Sequence, residues 1–416
     1  MSTTKILLGG VPFGCNNIGD EAILERIVDI VRSVCPKADI TVSTGDPINT
    51  AQLLSVKTCA LHSGFSENEK DDISFLAALS TVDIFIWSGA TGLSDYPDTS
   101  LACLLAAQNR AIKTVVFCTG MNDTLNPAHF TLSSGLKLTL LTTLNKIMAN
   151  QINFVRTYEL RKERRLRQQL KVVLDNCDLV INRDEQSKTQ LMRSNLETPP
   201  LVAADPAITL PLQAPNGTIW GDKMMSTLNT NAKLIGICIS SQQQITENMP
   251  FARWLDEIST HYDANIVFIP MNPITDFEAM ADIRNKMFNK DKTIIAQGST
   301  DPRAVAGLAE KMDVIISSRL HLLIFASISD TPCIGIGRGS KVSNFLSEFG
   351  FCTAGTTEKI KFDHLSKELE KLFNEKIIYQ EVSRLVRLRM HARLNKGIEA
   401  LSHIINPELS HNTATK

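Results

Sequence analysis

Short runs of four to seven apolar residues recur along the chain, each closed by glycine, proline or small polar residues and followed by a longer stretch with helical spacing. The runs at 5–8, 40–43, 57–61, 82–87, 114–118 and 179–182 read as strands in the first half, and those at 234–240, 266–270, 293–296, 314–316 and 333–336 in the second. They are rich in Val and Ile and do not alternate with polar residues. A strand buried on both faces has that pattern, which predicts parallel sheets covered by helices. A helix is expected from the glycine-containing turn 9–20 to about residue 35, a long one over 132–176, and a last one over 379–404.

The chain has 416 residues, more than one ordinary core, so two domains are expected. Their boundaries are placed at 1–210 and 219–376, with a linker in the Pro- and Gly-containing stretch 211–218 and a C-terminal helix and tail, 377–416, able to brace the first domain. Hydrophobic residues make up 43% and charged residues 21%, the composition of a globular chain. A net charge of −1 argues against a general nucleic-acid binder. No apolar run is long enough for a secretory signal or a membrane span, so cytoplasmic residence is expected. The nine cysteines are scattered without a Cys-x-x-Cys spacing and read as small reduced residues, not as a zinc site or a disulfide frame. The run 155–171 is strongly basic. It is either a solvated helix face or a contact with an anionic partner, which makes peripheral contact with the inner face of a membrane an expectation to test.

Candidate chemistry collects where strands end and helices begin. Arg319 and His321 follow the apolar run 314–316 and open a helix, a position where open α/β folds bind ligands and where free N–H groups favour an anion. A fixed cation and a titratable ring two residues apart suit a phosphorylated or carboxylated substrate that needs a proton. On the residues alone, a structural arginine and a satisfied core histidine remain equally open. Arg183 stands at a second such junction and Lys341 at a third. Asn17 and Asp20 lie at the start of the first helix, and Asp95 closes the small-residue loop 88–95, where a carboxylate could take a hydroxyl proton. Neither Gly-x-Gly-x-x-Gly nor a Walker Gly-Lys-Ser/Thr occurs, which disfavours nicotinamide and P-loop enzymes.

Seven segments in order carry a resemblance: Asn17-Ile-Gly-Asp-Glu-Ala-Ile-Leu24, Ser88-Gly-Ala-Thr-Gly-Leu-Ser-Asp95, Arg183-Asp-Glu-Gln-Ser-Lys188, Ala204-Asp-Pro-Ala207, Ile269-Pro-Met271, Ser318-Arg-Leu-His-Leu-Leu-Ile-Phe-Ala326 and Lys341-Val342. Together the set resembles the polysaccharide pyruvyl transferase family. The resemblance implies two Rossmann-like parallel-sheet domains facing a cleft in a glycosyltransferase-B-like plan, with phosphoenolpyruvate as donor. It also implies as acceptor a sugar of a cell-surface polysaccharide or of its lipid- or nucleotide-linked precursor, which receives a pyruvyl ketal, and no metal or other cofactor. By the same resemblance Arg183 and the Arg319-Leu320-His321 motif hold the donor and Asp95 is implicated; on the chemistry of the residues His321 is the expected acid, Asp95 or else Asp20 the base, and Asn17, Asp20 and Lys341 substrate-binding residues. The chain departs from the family pattern in Gly236-Ile-Cys-Ile-Ser-Ser241, which has no arginine, in Ser88-Gly89 where two glycines are usual, and in Gly337-Arg-Gly-Ser-Lys341, which has no acidic residue. A nucleotide-sugar glycosyltransferase and a non-catalytic ligand-binding relative are the competing readings.

Overall fold

The computed structural model describes residues 3–406 apart from 67, 149, 150 and 244. They divide into two compact units, neither a single continuous stretch. Unit 1 takes the described residues within Met1–Pro12, Val34–Val202 and Glu399–Lys416, and unit 2 those within Phe13–Ser33 and Ala203–Ile398. The chain therefore changes unit after Pro12, Ser33, Val202 and Ile398. The stretch 211–218 lies inside unit 2, and Asn17 and Asp20 belong to unit 2 as well. Of the expected C-terminal element, a helix Lys376–Ile405 is observed, and 407–416 lie outside the described residues.

Unit 1 is built on seven strands, β1 (Lys5–Gly10), β2 (Asp39–Ser43), β3 (Lys57–Cys59), β4 (Ile84–Ser88), β5 (Lys113–Thr119), β6 (Leu179–Asn182) and β7 (Leu201–Val202). Their order is β3-β2-β1-β4-β5-β6-β7 and every pairing is parallel. β1 is central: Ile6 pairs with Ile40 on one side and Ile84 on the other. All five residues of β4 are buried, which is why the run does not alternate. Phe85, Trp87 and Phe117 are each at most 1% exposed, and burying a side chain of that class is worth about 1.5–3 kcal/mol. β7 is two residues long, too short to leave a period in the sequence, and was not expected from it.

The stretch 132–176, expected as one long helix, forms two, Leu136–Ile147 and Phe154–Asp175. Asn153 starts the second by accepting a hydrogen bond from the Arg156 N–H at 2.9 Å. An asparagine is worth more at such a cap than inside a helix, where its side chain competes with the backbone.

Unit 2 holds five parallel strands, β8 (Lys233–Cys238), β9 (Ala264–Phe268), β10 (Thr293–Ile295), β11 (Val314–Ser317) and β12 (Cys333–Gly335), ordered β10-β9-β8-β11-β12. The strand order reverses between β8 and β11. In a doubly wound sheet that reversal opens a crevice at the carboxyl ends, and the chain leaves β11 there through Ser318 into the helix Leu320–Ile328. No described helix is long and apolar enough to cross a membrane.

Candidate active site

The turn after β11 is held by its own serines. Ser317 Oγ accepts from the Arg319 N–H at 2.9 Å and donates to the Arg319 carbonyl at 2.8 Å, while Ser318 Oγ accepts from the Ser240 N–H at 2.9 Å, next to the end of β8. Arg319 thus stands in extended conformation (φ −94°, ψ 121°) just before the helix, its guanidinium directed to Asp276. Arg319 Nε donates to Asp276 Oδ2 at 2.9 Å and Nη2 to Oδ1 at 2.7 Å. Asp276 is fully buried and also accepts from the N–H groups of Ser241 and Asn272. One carboxylate with four donors therefore ties the loops that follow β8 and β9 to the end of β11. A buried bidentate pair of this kind fixes the orientation of the fork and balances its charge, leaving three of its five N–H bonds for a ligand.

His321 is the second residue of the helix and is 9% exposed. A Cβ on Gly19 would stand 2.0 Å from His321 Nδ1, so only glycine allows the ring to lie against this turn. The other ring nitrogen, Nε2, is buried without a hydrogen-bond partner, and the nearest carboxylate oxygen, Asp205 Oδ2, is 3.6 Å away. That separation is too long for a hydrogen bond and short enough for an ion pair when the ring is protonated.

Asp20 enters from the turn before the first helix. Asn17 Nδ2 donates to its Oδ2 at 2.6 Å, whereas Oδ1 is buried with no partner. Burial pushes the Asp20 carboxyl above its ordinary value, opposed by the charges of His321, Lys341 and Arg319 and by the Asn17 hydrogen bond. Leaving a buried polar atom unmade costs about 1–3 kcal/mol, and two such atoms, Asp20 Oδ1 and His321 Nε2, lie in one unit near the same strand ends. Lys341 is half-buried in the first turn of the helix Ser340–Glu348. Leu320 is buried at 7% exposure. Unit 2 therefore contains Asn17, Asp20, Arg319, Leu320, His321 and Lys341.

The remaining two candidates lie in unit 1 at the carboxyl edge of its sheet. Arg183 follows β6, donates its N–H to the Thr119 carbonyl at 3.1 Å and is 6% exposed. Its guanidinium carbon lies 2.6 Å from where a Cβ on Gly120 would stand, and its Nε is 3.4 Å from Asp184 Oδ2. Asp95, half-buried beyond β4, accepts from Thr91 Oγ1 at 2.5 Å and Asn122 Nδ2 at 2.6 Å, one bond to each oxygen.

Sequence reasoning gave Asp276 no part, and Asp205 entered it only within the segment Ala204–Ala207, without a role. Asp205 precedes Pro206, a cap-and-proline signal, and caps a short turn by accepting from the Ala207 N–H. Asp276 looks like any acidic residue in the first turn of the helix Thr275–Lys286, and nothing local marks its partner 43 residues away. No group of three or more His, Cys, Asp or Glu among the described residues is arranged to hold a metal ion.

A family model described as polysaccharide pyruvyl transferase matches residues 17–340. No curated protein matches the chain. Among solved structures, the chain is similar to a putative UDP-N-acetylglucosamine 2-epimerase from Listeria monocytogenes at 12% identity, covering 100% of this chain and 98% of that one with a TM-score of 0.62. The S. aureus MnaA–UDP structure is 12% identical over 92% of this chain and 91% of that one, with a TM-score of 0.59. A glycosyltransferase from Rickettsia africae is 13% identical over 98% and 99%, with a TM-score of 0.55. At such identities the likeness is one of fold, and it places the two parallel-sheet units in the glycosyltransferase-B-like class.

Proposed function

The chain belongs to the polysaccharide pyruvyl transferase family, and from that premise we propose that it transfers the three-carbon unit of phosphoenolpyruvate to two hydroxyls of one sugar, forming a pyruvyl ketal and releasing phosphate. The observation that carries the proposal is the buried, unpartnered Nε2 of His321 beside Asp205, two residues from a cation fixed in place by Asp276. Phosphoenolpyruvate is an enol ester that becomes electrophilic at C2 once its methylene carbon gains a proton. His321 supplies that proton. Arg319, with the N–H bonds that Asp276 leaves over, and Lys341 hold the carboxylate and phosphate and stabilise charge on the departing phosphate. Arg183, buried at the end of β6 in unit 1, keeps only the donor role that the family resemblance implies.

One sugar hydroxyl then attacks C2 and loses its proton to a carboxylate. Asp20 is the better base of the two candidates. One of its oxygens is unpartnered and burial raises its proton affinity, whereas both Asp95 oxygens already accept hydrogen bonds. The second hydroxyl displaces phosphate from the same carbon. One hydroxyl proton replaces the one the imidazole gave, and the other leaves with the phosphate. The acceptor is a cell-surface polysaccharide precursor on a nucleotide or lipid carrier. UDP in the S. aureus structure of the same fold supports the nucleotide carrier.

The test is phosphate release from phosphoenolpyruvate across a panel of nucleotide-linked and lipid-linked sugars. His321→Ala is expected to lower turnover by about 10²–10⁴ while still binding the donor. Native turnover in that variant would refute the assignment. Sugar transfer from a nucleotide sugar, with no phosphate release from phosphoenolpyruvate, would favour the glycosyltransferase reading instead.

A further inference from the structure

The hairpin of helices Leu136–Ile147 and Phe154–Asp175 has a composition and an exposure that the transfer chemistry does not use. No residue of the first helix is buried. Leu136, Leu140 and Ile147 are 92%, 61% and 71% exposed, and at 100° per residue their positions fall within about 40° of one another, so they form one apolar stripe. Met148 and Ile152, beyond the end of the helix, are also exposed. The helix is nevertheless held in place. Lys137 Nζ donates to Tyr158 Oη at 2.7 Å and sits 4.0 Å over that ring, and Asn145 Oδ1 accepts from the Phe154 N–H at 2.7 Å.

The second helix is rooted in the core of unit 1 by Leu166, Leu170, Val173 and Leu174, while 154–165 contains no buried residue. It carries seven Lys and Arg against three Asp and Glu in a chain whose net charge is −1, so positive charge is concentrated here. Arg167 pairs with Glu163, and Lys171 with Asp175 and Glu197. Arg156, Arg161, Lys162, Arg164 and Arg165 are exposed and form no ion pair among the described residues.

We infer that this hairpin docks on an anionic lipid surface, with the Leu136–Leu140–Ile147 stripe entering the acyl boundary and the arginines meeting the headgroups. An apolar stripe alone would also fit a second copy of the chain, but two such hairpins would bring like charges together. A basic helix alone would fit a nucleic acid, which has no use for exposed aliphatic side chains. Both features on one fixed hairpin match the requirements of a bilayer carrying anionic headgroups. The inference concerns where the enzyme sits and does not depend on the identity of the donor or acceptor.

The experiment is co-sedimentation of the full-length protein with phosphatidylcholine vesicles, with and without a phosphatidylglycerol fraction, at low and raised salt. Binding is expected only with phosphatidylglycerol and is expected to weaken with salt. Replacing Arg161, Lys162, Arg164 and Arg165 by Gln should lower the partition by about 100-fold or more. Leu140→Ser with Ile147→Ser should lower it by about tenfold or more, with the circular dichroism spectrum and phosphate release on a free acceptor unchanged in both. The inference fails if the native protein does not bind phosphatidylglycerol vesicles, or if both variants bind as the native protein does. It also fails if the serine variant breaks up a dimer in sedimentation velocity while leaving vesicle binding intact.

Discussion

Asp20 sits where ionising a carboxylate is expensive. Its pKa is raised chiefly by burial, against the pull of His321, Lys341 and Arg319, so the folded protein favours the neutral acid more than the unfolded chain does. Below the ordinary value of 3.8 the group is neutral in both states and carries no penalty. As pH rises past that value the unfolded chain ionises first and stability declines, until the folded carboxyl has ionised as well. Above that point the cost is constant. Asp20→Asn should therefore raise stability at neutral pH, give no gain at acidic pH, and abolish turnover. Urea midpoints measured across pH, beside a phosphate-release assay, check both halves. At this scale the sequence already put His321 and Arg319 at a strand-to-helix junction, because a β-branched run gives way there to an unbroken apolar helix. It could not show that Gly19 lies against the imidazole or that Asp205 lies beside Nε2, since both neighbours are more than a hundred residues away along the chain.

Elements meet at the Arg319–Asp276 pair, where the loops after β8 and β9 and the turn after β11 converge on one buried carboxylate. Removing one partner of a buried pair strands the other charge, so Asp276→Ala should cost about 3–5 kcal/mol. It should also weaken phosphoenolpyruvate binding in the protein that still folds, because the guanidinium loses its fixed orientation. The urea midpoint and a donor titration read the two effects separately. For the same reason Arg319→Lys is a cleaner probe of donor binding than Arg319→Ala: it keeps a cation beside Asp276 and gives up only the fork. All strands but the two-residue β7 were readable from their apolar runs, and the observed bounds of those fall within two residues of the expected ones. The division of 132–176 into two helices was not. Apolar residues at helical spacing run on either side of 148–153, and the break shows only in the cap at Asn153, whose side chain accepts from the Arg156 N–H.

For the molecule as a whole, the proposal requires that phosphoenolpyruvate bind the native state and not the unfolded chain. Donor at 100 times its dissociation constant should then stabilise the protein by about 2.7 kcal/mol, seen as a higher melting temperature. A melting temperature unmoved by phosphoenolpyruvate at any concentration would remove it as donor. The sequence by itself determined the class of fold and the strand ends at which chemistry collects. Strands buried on both faces must be continuously apolar, and the residues between them must supply covering helices and polar turns. Only the tertiary structure decided that residues 13–33, which link β1 to β2, cluster with the second unit, that Asp276 neutralises Arg319, and that His321 keeps one nitrogen unpartnered. Apolar periodicity is a local property, with a repeat of a few residues. The meeting of one particular carboxylate with one particular guanidinium is set by how whole sheets and loops pack, and no short window of sequence contains that information.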